Sequence, residues 1–360
     1  MKNQKTALAT VVHVEGSSYR GPGARMLITE TGMLTGAISG GCLEGDALRK
    51  ALAVMMEGKP MLATYDTSDE DDAVIGVGLG CSGIIRVLIE PVVPEHASNP
   101  VALLQQVVQK REPSVLLTFF SLHNKWAEQQ GTRLLLKADG TMLQAAPLPA
   151  AAMPDAAAAF ENKATAFIEY PGQLSAFVEY ITPPLALVVA GAGNDVLPLV
   201  QMAAVLGWDV TLVDGRPNYA STRRFPGCRL VVADPAAALQ NLEVDDQTAV
   251  VLMTHNYNYD KALLKSLLQL PVHYIGMLGP KKKLARMQAE LEEEGMAFSQ
   301  EIAARVYSPV GLDIGADTAE EIALAVLAEI KAVFAGRKGG SLRHATGSIH
   351  ERNTEIVAKE

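Results

Sequence analysis

The amino-acid sequence predicts an α/β protein in which an N-terminal α+β domain precedes a C-terminal doubly wound parallel sheet. Beyond residue 184, short apolar runs alternate with segments of helical periodicity, which is the pattern of parallel strands joined by crossover helices. Before residue 182, extended segments follow one another through turn-forming polar clusters. Between the two patterns, Thr182-Pro183-Pro184 interrupts regular structure and marks a domain joint.

In the N-terminal part, short apolar segments bounded by glycine and polar residues predict strands, and apolar residues at helical spacing predict helices. Leu48, Leu52 and Met55 have that spacing within residues 44–57. Residues 151–160 are rich in alanine and are compatible with either a helix or a mobile surface segment. The predicted strands cover residues 6–14, 25–29, 33–38, 84–90, 115–120, 133–137, 142–145, 166–170 and 175–181, and the predicted helices cover 44–57 and 100–111.

In the C-terminal part, Thr318 and Glu321 form a capping-box pattern that starts a helix. The sequence from Gly336 onward lacks periodicity and is predicted to be loosely held or docked on another chain. We therefore expect an α+β domain over residues 1–182, with a meander region within 92–182, a Rossmann-like domain over 183–335 and a tail over 336–360. The predicted strands are 185–190, 209–213, 229–232, 248–253 and 273–277, and the predicted helices are 195–206, 260–270, 282–294 and 319–334.

Composition excludes several classes of protein. The 360 residues include 31 Lys and Arg and 40 Asp and Glu, a formal net charge of −9, so we expect no nucleic acid and no anionic membrane surface as a partner. The longest apolar run, Leu185–Ala190, is far shorter than the roughly 20 residues of a membrane-spanning helix. Three cysteines in a long chain favour a reducing compartment, and hence the cytoplasm, over a disulfide framework.

A first candidate site follows the predicted strand 185–190. Gly191-Ala192-Gly193 opens a helix, and Asp214 ends the next strand. Backbone amides at such a turn can approach a phosphate, and a carboxylate at the second strand end can accept a bond from a ribose hydroxyl. The third glycine of the dinucleotide fingerprint is missing, because Val196 occupies its position. A tight turn without a ligand is the alternative.

A second candidate site gathers other strand ends of the same sheet, which converge on one crevice. Arg216 and His255 are expected to face this crevice. Gly279 precedes a helix that starts with Lys281, so positive charge and a helix N-terminus coincide and favour an anion. The alternative is that the lysines at this helix only contact solvent, and Lys281 is the one we prefer as a ligand.

A third candidate site is Cys42, which follows Gly40 and Gly41 and is expected in the first turn of a helix, where the helix dipole favours a thiolate. Cys81 also lies in a glycine-rich segment. The alternative for an isolated cysteine is a small buried apolar residue, and we assign that structural role to Cys228.

A fourth candidate cluster, residues 16–25, offers hydroxyl groups, backbone amides and the guanidinium groups of Arg20 and Arg25 after the first strand. Arginine can bind phosphate with two parallel hydrogen bonds. A surface turn with solvated arginines is the alternative. The sequence contains no Gly-x-Ser-x-Gly elbow, no Walker loop and no His-Glu-x-x-His motif, so acyl transfer, nucleotide hydrolysis and zinc proteolysis lack their local signatures.

These segments resemble the XdhC/CoxI family of accessory factors for xanthine dehydrogenase and carbon monoxide dehydrogenase. The resemblance covers most of the chain, although residues 92–182 contribute little to it. It rests on Gly16-Ser-Ser, Pro22-Gly-Ala-Arg-Met26, Gly36-Ala-Ile-Ser-Gly-Gly-Cys-Leu-Glu44, Gly78-Leu-Gly-Cys81, Gly191-Ala-Gly193, Asp214-Gly-Arg-Pro217, Tyr274-Ile-Gly-Met-Leu-Gly279, Pro309-Val-Gly-Leu-Asp-Ile-Gly315 and Glu320-Glu-Ile-Ala323.

The resemblance implies a homodimeric chaperone, not an enzyme, that binds molybdenum cofactor (molybdopterin). Such proteins protect the cofactor while a cysteine desulfurase supplies a sulfido ligand, and then deliver it to an apo-molybdenum hydroxylase of the xanthine dehydrogenase type. It makes Cys42 and Cys81 candidates for contact with the molybdenum or its sulfur, and the Gly191 turn a candidate for the pterin phosphate. Family members commonly have His after Gly-Ala-Gly, where this chain has Asn194.

Two other functions remain open at this point. One is an NAD(P)-dependent oxidoreductase that binds a dinucleotide through Gly191, Gly193 and Asp214. The other is a sulfurtransferase in which Cys42 carries a persulfide.

Overall fold

The computed structural model describes residues 4–67, 83–96, 99–122, 127–144, 147–240 and 242–344, together with the backbone of 355–358. The chain forms two compact units. An N-terminal unit comprises Met1–Pro183 and Thr346–Glu360, and a C-terminal unit comprises Pro184–Ala345. Each unit is described by itself below. Within the described residues, no helix has the length and apolar character needed to cross a membrane.

The first sheet of the N-terminal unit is antiparallel, with the strand order β3-β2-β1-β5-β4. Its central strand β1 is rich in valine, threonine and alanine and is buried on both faces, since a helix packs on one face and a second sheet on the other. The helix α1 ends at Gly58, which adopts a left-handed conformation. The elements are β1 (Thr6–Gly16), β2 (Arg25–Thr29), β3 (Leu34–Gly36), α1 (Glu44–Glu57), β4 (Met61–Asp66) and β5 (Gly83–Val92).

The second sheet has the order β17-β9-β10-β6-β7-β8, in which β6, β7 and β8 form a meander. The alanine-rich segment whose state the sequence left open is the helix α3, which packs its alanines against this sheet. The elements are α2 (Pro100–Gln109), β6 (Ser114–Phe120), β7 (Gly131–Lys137), β8 (Met142–Gln144), α3 (Ala152–Asn162), β9 (Ala166–Tyr170), β10 (Leu174–Ile181) and β17 (Glu355–Ala358).

The C-terminal segment differs from its prediction as an aperiodic tail. Glu355–Ala358 forms β17, which pairs in parallel with the edge strand β9 of the N-terminal unit. A strand of four residues can add to an exposed sheet edge through backbone hydrogen bonds alone, whatever its side chains are. The sequence of β17 therefore shows no alternation of apolar residues from which the strand could be predicted.

The two sheets of the N-terminal unit pack face to face. Val12 and Leu88 of the first sheet contact three phenylalanines of the second, Phe120, Phe167 and Phe177. Their apolar contact accounts for the second buried face of β1 and β5.

Glu90 is a buried carboxyl group at this sheet contact, with 3% of its surface exposed. It accepts hydrogen bonds from the backbone N–H (2.7 Å) and the hydroxyl (2.9 Å) of Thr132 in β7. Gly131 has no side chain at the point where the carboxylate packs, and a Cβ there would overlap Glu90 Oε1. Burial raises the pKa of Glu90, and the bonds from Thr132 and the charges of Arg25 and Arg133 oppose this effect without cancelling it.

The C-terminal unit is a six-stranded parallel sheet with the order β13-β12-β11-β14-β15-β16, so the order reverses between β11 and β14. Helices α4 and α9 cover one face, and α5 to α8 pack on the other. The elements are β11 (Ala186–Ala190), α4 (Val196–Val205), β12 (Asp209–Asp214), β13 (Arg229–Val232), α5 (Pro235–Ala238), β14 (Thr248–Leu252), α6 (Tyr257–Leu267), β15 (Tyr274–Met277), α7 (Lys281–Glu293), α8 (Gln300–Ala304), β16 (Val306–Tyr307) and α9 (Ala319–Phe334).

This architecture confirms the predicted fold class, a doubly wound parallel sheet of Rossmann type combined with an α+β domain. The capping box at α9 is also confirmed: Thr318 accepts from the Glu321 N–H, and Glu321 accepts from the Thr318 N–H. The two-residue strand β16 is absent from the sequence prediction, because two residues are too few to show an alternating pattern.

Replacement of Glu90 by glutamine tests the buried carboxyl group. Because the folded state raises its pKa, Glu90 contributes most to stability below the unfolded pKa near 4.5, and this contribution is lost as pH rises through the folded pKa. Relative to Glu90→Gln, the wild type should therefore lose stability with increasing pH, by at most about 1.4 kcal/mol per pH unit. The measurement is the midpoint of urea unfolding between pH 5 and 8, with the exposed Glu95→Gln as control. Parallel pH profiles for wild type and Glu90→Gln would contradict the assignment.

Candidate functional site

The carboxyl ends of β11 and β14 lie at the point where the strand order reverses. Gly191-Ala192-Gly193 follow β11 there and form a turn that is called the glycine turn below. Gly191 has φ +121° and donates its N–H to Val213 O at 2.8 Å. A Cβ at this position would overlap the carbonyl oxygen of Met253 at the end of β14. Both the conformation and the close approach of backbone to backbone require glycine here.

An acid–imidazole pair connects the glycine turn to the end of β14. Asp195 immediately precedes α4, and its Oδ2 lies 2.8 Å from His255 Nε2. A Cβ on Gly193 would overlap the other carboxylate oxygen of Asp195. His255 has φ +56°, and 64% of its side chain is exposed. The structure thus places His255 beside the glycine turn.

Asp214 holds the glycine turn from the end of β12. Its Oδ2 accepts from the Ala192 N–H and from Arg216 Nη2, both at 2.8 Å. Its Oδ1 accepts from the Arg216 N–H (2.8 Å) and Nε (2.9 Å). Burial by itself would raise the pKa of Asp214, but the hydrogen bonds from Arg216 and Ala192 outweigh it and lower the pKa. These four bonds use the acceptor capacity of the carboxylate.

The loop after β12 lies over the same turn. Arg224 donates to Ala192 O (2.6 Å), to Tyr219 O (2.8 Å) and to Asn194 Oδ1 (2.8 Å). The Arg216 guanidinium carbon lies 4.1 Å from the centre of the Tyr219 ring, and that of Arg224 lies 5.6 Å from it. The sequence prediction missed Arg224, because a loop without periodicity does not reveal which of its side chains folds back on the turn.

A cavity of about 380 Å³, open to solvent, has His255 as one of its lining residues. The aliphatic part of the Lys283 side chain packs on Gly279 at this cavity. Its ammonium group donates to Asp260 Oδ2 (2.7 Å) and to Leu278 O (3.0 Å). Asp260 is fully buried and also accepts from the Thr254 hydroxyl at 2.6 Å. The cavity is lined by His255, Tyr257, Leu278, Gly279 and Lys283.

The lysine preferred from the sequence is not among these lining residues. Lys281 is exposed at the first position of α7, whereas Lys283 lies beside the cavity. A separation of four residues brings Lys283 back over Gly279 at the first turn of the helix. That spacing is the signal that could have identified Lys283.

In the N-terminal unit, Cys42 lies in a second turn, formed by residues 39–44 and called the Cys42 turn below. Hydrogen bonds of Ser39 and Glu44 hold it in place. The Ser39 hydroxyl donates to Glu44 and accepts from the N–H groups of Gly41 and Leu43, both at 3.1 Å. Cys42 Sγ donates to the same hydroxyl at 3.5 Å. Since α1 begins at Glu44, Cys42 precedes the helix and does not lie in its first turn as expected.

Glu44 collects several donors of this turn. It accepts from the N–H groups of Ser39 (2.9 Å), Leu43 (3.1 Å) and Ile38 (3.3 Å). Burial acts to raise the pKa of Glu44, but these bonds and the Ser39 hydroxyl outweigh it and lower the pKa. Gly40 and Gly41 are exposed beside the half-buried Cys42, so one side of the turn faces solvent.

Arg25 and Cys81 are the other residues predicted as ligands in this unit. Arg25 forms a two-fold ion pair with Glu179, in which Nη1 and Oε1 are 3.1 Å apart, and its guanidinium is therefore already bound to a carboxylate. Cys81 lies outside the described residues. Among the residues that the structure describes, no group of three or more His, Cys, Asp and Glu side chains could hold a metal ion.

Two family models match the sequence: the XdhC Rossmann domain over residues 187–330, and the XdhC and CoxI family over residues 1–66. A relative from Bacillus subtilis (strain 168), whose name describes a probable subunit of xanthine dehydrogenase, is 30% identical over 91% of this chain and 92% of its own length. The chain belongs to the XdhC and CoxI family. The match to the XdhC Rossmann domain includes the glycine turn and the residues that line the cavity, and the match to the XdhC and CoxI family model includes the Cys42 turn.

Two further proteins are similar to this XdhC and CoxI family member over most of its length. A crystal structure described as a xanthine dehydrogenase from Bacillus halodurans has a TM-score of 0.76 at 30% identity, covering 96% of this chain and 95% of the other. The molybdenum cofactor insertion chaperone PaoD of Escherichia coli (strain K12) is 23% identical over 92% of this chain and 85% of its own. Both N-terminal and C-terminal units therefore have counterparts in these proteins.

Replacement of Gly191 by alanine tests the steric basis of the turn. Gly207→Ala is the matched control, because Gly207 also has a positive φ (+73°) but has no atom within 4 Å of the added Cβ. The control should cost about 1 kcal/mol of unfolding free energy from backbone strain. Gly191→Ala should cost at least about 2 kcal/mol more, because the Met253 carbonyl must also move and because φ +121° lies farther from the allowed left-handed region than φ +73°. Chemical unfolding of the two variants measures the difference, and equal costs would refute the close packing.

Proposed function

We propose that this protein binds molybdenum cofactor, protects it while a cysteine desulfurase adds the sulfido ligand, and inserts it into an apo-molybdenum hydroxylase of the xanthine dehydrogenase type. Membership of the XdhC and CoxI family supports this role, as do a relative named for cofactor insertion and another named as part of a xanthine dehydrogenase. In this role the cofactor is cargo and the protein has no turnover of its own. We also propose that it acts in the cytoplasm as a homodimer.

The observation that carries the proposal is the glycine turn, which lies where the strand order of the parallel sheet reverses between β11 and β14. Cationic groups and a cavity lie beside it. Backbone N–H groups of Gly193 and Asn194 at the start of α4 can bind the pterin phosphate, because a helix N-terminus favours an anion. Arg224, which donates to the neutral oxygens of Ala192, Tyr219 and Asn194, adds positive charge at the turn, and Lys281 is exposed at the start of α7. Arg216 and Lys283 are each paired with a carboxylate and contribute donors more than net charge. Gly191 keeps the turn close enough to β14 for this arrangement.

The Cys42 turn supplies a second part of the proposal. Its thiol is half-buried, lies beside exposed glycines and precedes a helix, so it can approach a ligand from solvent. Thiolates are good ligands for soft metal centres, and we propose that Cys42 contacts the molybdenum or its sulfur during the handling of the cargo. The same role for Cys81 remains a prediction from the sequence resemblance. A phosphate contact for Arg25 remains a prediction from the residues of the 16–25 cluster, and it would compete with the ion pair to Glu179.

Two structural features disfavour an NAD(P)-dependent oxidoreductase. Asp214, the predicted acceptor for a ribose hydroxyl, already accepts four bonds from Ala192 and Arg216. Val196, at the position of the missing third glycine, is fully buried in the core between the sheet and α4, which leaves no room for the closer approach that glycine permits. A Cys42 sulfurtransferase is disfavoured by the relatives' names, which describe cofactor insertion or part of a dehydrogenase.

The direct test is retention and transfer of the cargo. Purified protein should retain molybdopterin through gel filtration under anaerobic conditions, detected as the fluorescence of its oxidised pterin. It should then activate an apo-xanthine dehydrogenase in proportion to the amount added. Absence of both retention and activation would refute the proposal, whereas hydride transfer from NAD(P)H would favour the oxidoreductase.

Cys42→Ser tests the proposed sulfur contact. The variant should keep the melting temperature of the wild type, because serine fits the half-buried position, but it should retain or deliver less cofactor in the transfer assay. Cys228→Ser is the control: Cys228 is partly buried in the core of the C-terminal unit, and burial raises the pKa of its thiol. Unchanged delivery by Cys42→Ser would contradict the role of this thiol.

A further inference from the structure

The two sides of the glycine turn differ in the space that they offer a ligand. In a complete dinucleotide site, one half of the ligand lies over the second strand, here β12, and the other half lies over the fourth and fifth strands, here β14 and β15. The structure allows the two halves to be compared residue by residue.

The β12 half is filled by the protein's own side chains. Asp214 has no acceptor capacity left for a ribose, since Ala192 and Arg216 donate four bonds to it. Arg224 bonds to both Ala192 and Asn194 and therefore fixes the loop after β12 on the turn. A nucleoside could enter this half only by breaking several of these hydrogen bonds.

The β14 and β15 half holds the cavity of about 380 Å³. Such a volume lies near the lower end of the range for small-molecule pockets, roughly 300–1,000 Å³. Leu278 and the Tyr257 ring line the cavity, and the Arg286 guanidinium carbon lies 4.5 Å from the centre of that ring, so a ligand can use only the part of the ring that Arg286 leaves uncovered. His255 lines the same cavity and is bonded to Asp195 of the glycine turn. This half can therefore hold one planar ring system next to the turn.

Lys283 adds a polar contact to this apolar lining. An ammonium group has three hydrogens, of which one goes to Asp260 and one to Leu278 O. The third is available for a carbonyl oxygen or ring nitrogen of a ligand. An apolar surface with a few fixed donors matches a heteroaromatic ring with polar edges.

We propose that the ring system of the cargo lies in this cavity against Tyr257, with its phosphate at the glycine turn, so that the site takes a ligand of mononucleotide length and not a dinucleotide. The inference rests on the proposed function and adds to it the side of the turn on which the cargo lies. It also assigns Tyr257 and Lys283 as specificity-determining residues, neither of which the sequence pattern had singled out.

Two tyrosines on opposite sides of the turn provide matched variants. Tyr257→Leu removes the ring that lines the cavity, whereas Tyr219→Leu removes the ring stacked with Arg216 on the β12 side. The probe is a 6-substituted pterin with a terminal phosphate monoester, titrated by its fluorescence, with inorganic phosphate and NAD⁺ as competitors. Tyr257→Phe tests whether the ring by itself is sufficient, and thermal melting establishes that each variant is folded.

Tyr257→Leu should bind the pterin phosphate about tenfold more weakly, the size of effect expected from the loss of an aromatic contact. Its affinity for inorganic phosphate should not change. Tyr219→Leu and Tyr257→Phe should bind both ligands as the wild type does, and NAD⁺ should compete no better than inorganic phosphate.

The outcomes separate the inference from the function on which it rests. If the wild type binds the pterin phosphate but Tyr219→Leu weakens it and Tyr257→Leu does not, or if NAD⁺ competes strongly, the placement is overturned and the carrier function stands. If the wild type binds no pterin in this assay or in the retention assay, both are rejected.

Discussion

The geometry of the C-terminal site depends on the buried carboxylate of Asp214. This side chain joins the end of β12 to the turn after β11 by accepting from the Ala192 N–H, and it binds Arg216 with two side-chain hydrogen bonds. A buried carboxylate is stable only where donors replace its water, and the four donors here meet that need. The same bonds remove Asp214 from ligand binding, so one interaction both builds the turn and restricts what can bind there.

Two glycine-rich turns among the described residues, the Gly191 turn and the Cys42 turn, are fixed in the same physical way. In the C-terminal unit a carboxylate accepts from backbone N–H groups at Ala192 and Arg216, and in the N-terminal unit Glu44 accepts from Ser39, Leu43 and Ile38. The pKa of each carboxyl group is lowered first by a side-chain donor, Arg216 for Asp214 and Ser39 for Glu44, and further by these backbone bonds. Glycine gives each turn the backbone conformation it needs but no rigidity, and the carboxylate supplies the rigidity.

Much of the candidate site follows from strand ends and glycines that are visible in the sequence. The positions of Gly191, Gly193, Asp214 and His255 at one edge of the sheet follow from the alternation of strands and helices, because carboxyl ends of parallel strands meet at that edge. The hydrogen-bond partners do not follow from it. Arg224 reaches the turn from 30 residues away in an aperiodic loop, as its bond to Asn194 shows, and no local pattern encodes such a return.

The sequence by itself determined the fold class, the longer helices and strands of the C-terminal unit and the positions of the Gly191 and Cys42 turns, because apolar periodicity and glycine positions are local properties of the chain. It did not reveal the short elements α5, α8 and β16, which have too few residues to show a period. Tertiary structure decided which groups remain available to a ligand. Asp214 and Arg25, both selected from the sequence as ligand-binding residues, are bound to Arg216 and Glu179, while Lys283 and Tyr257, which were not selected, line the cavity. The physical reason is that a charged side chain satisfies its hydrogen bonds with the nearest partner in space, and the fold, not the local sequence, sets that distance.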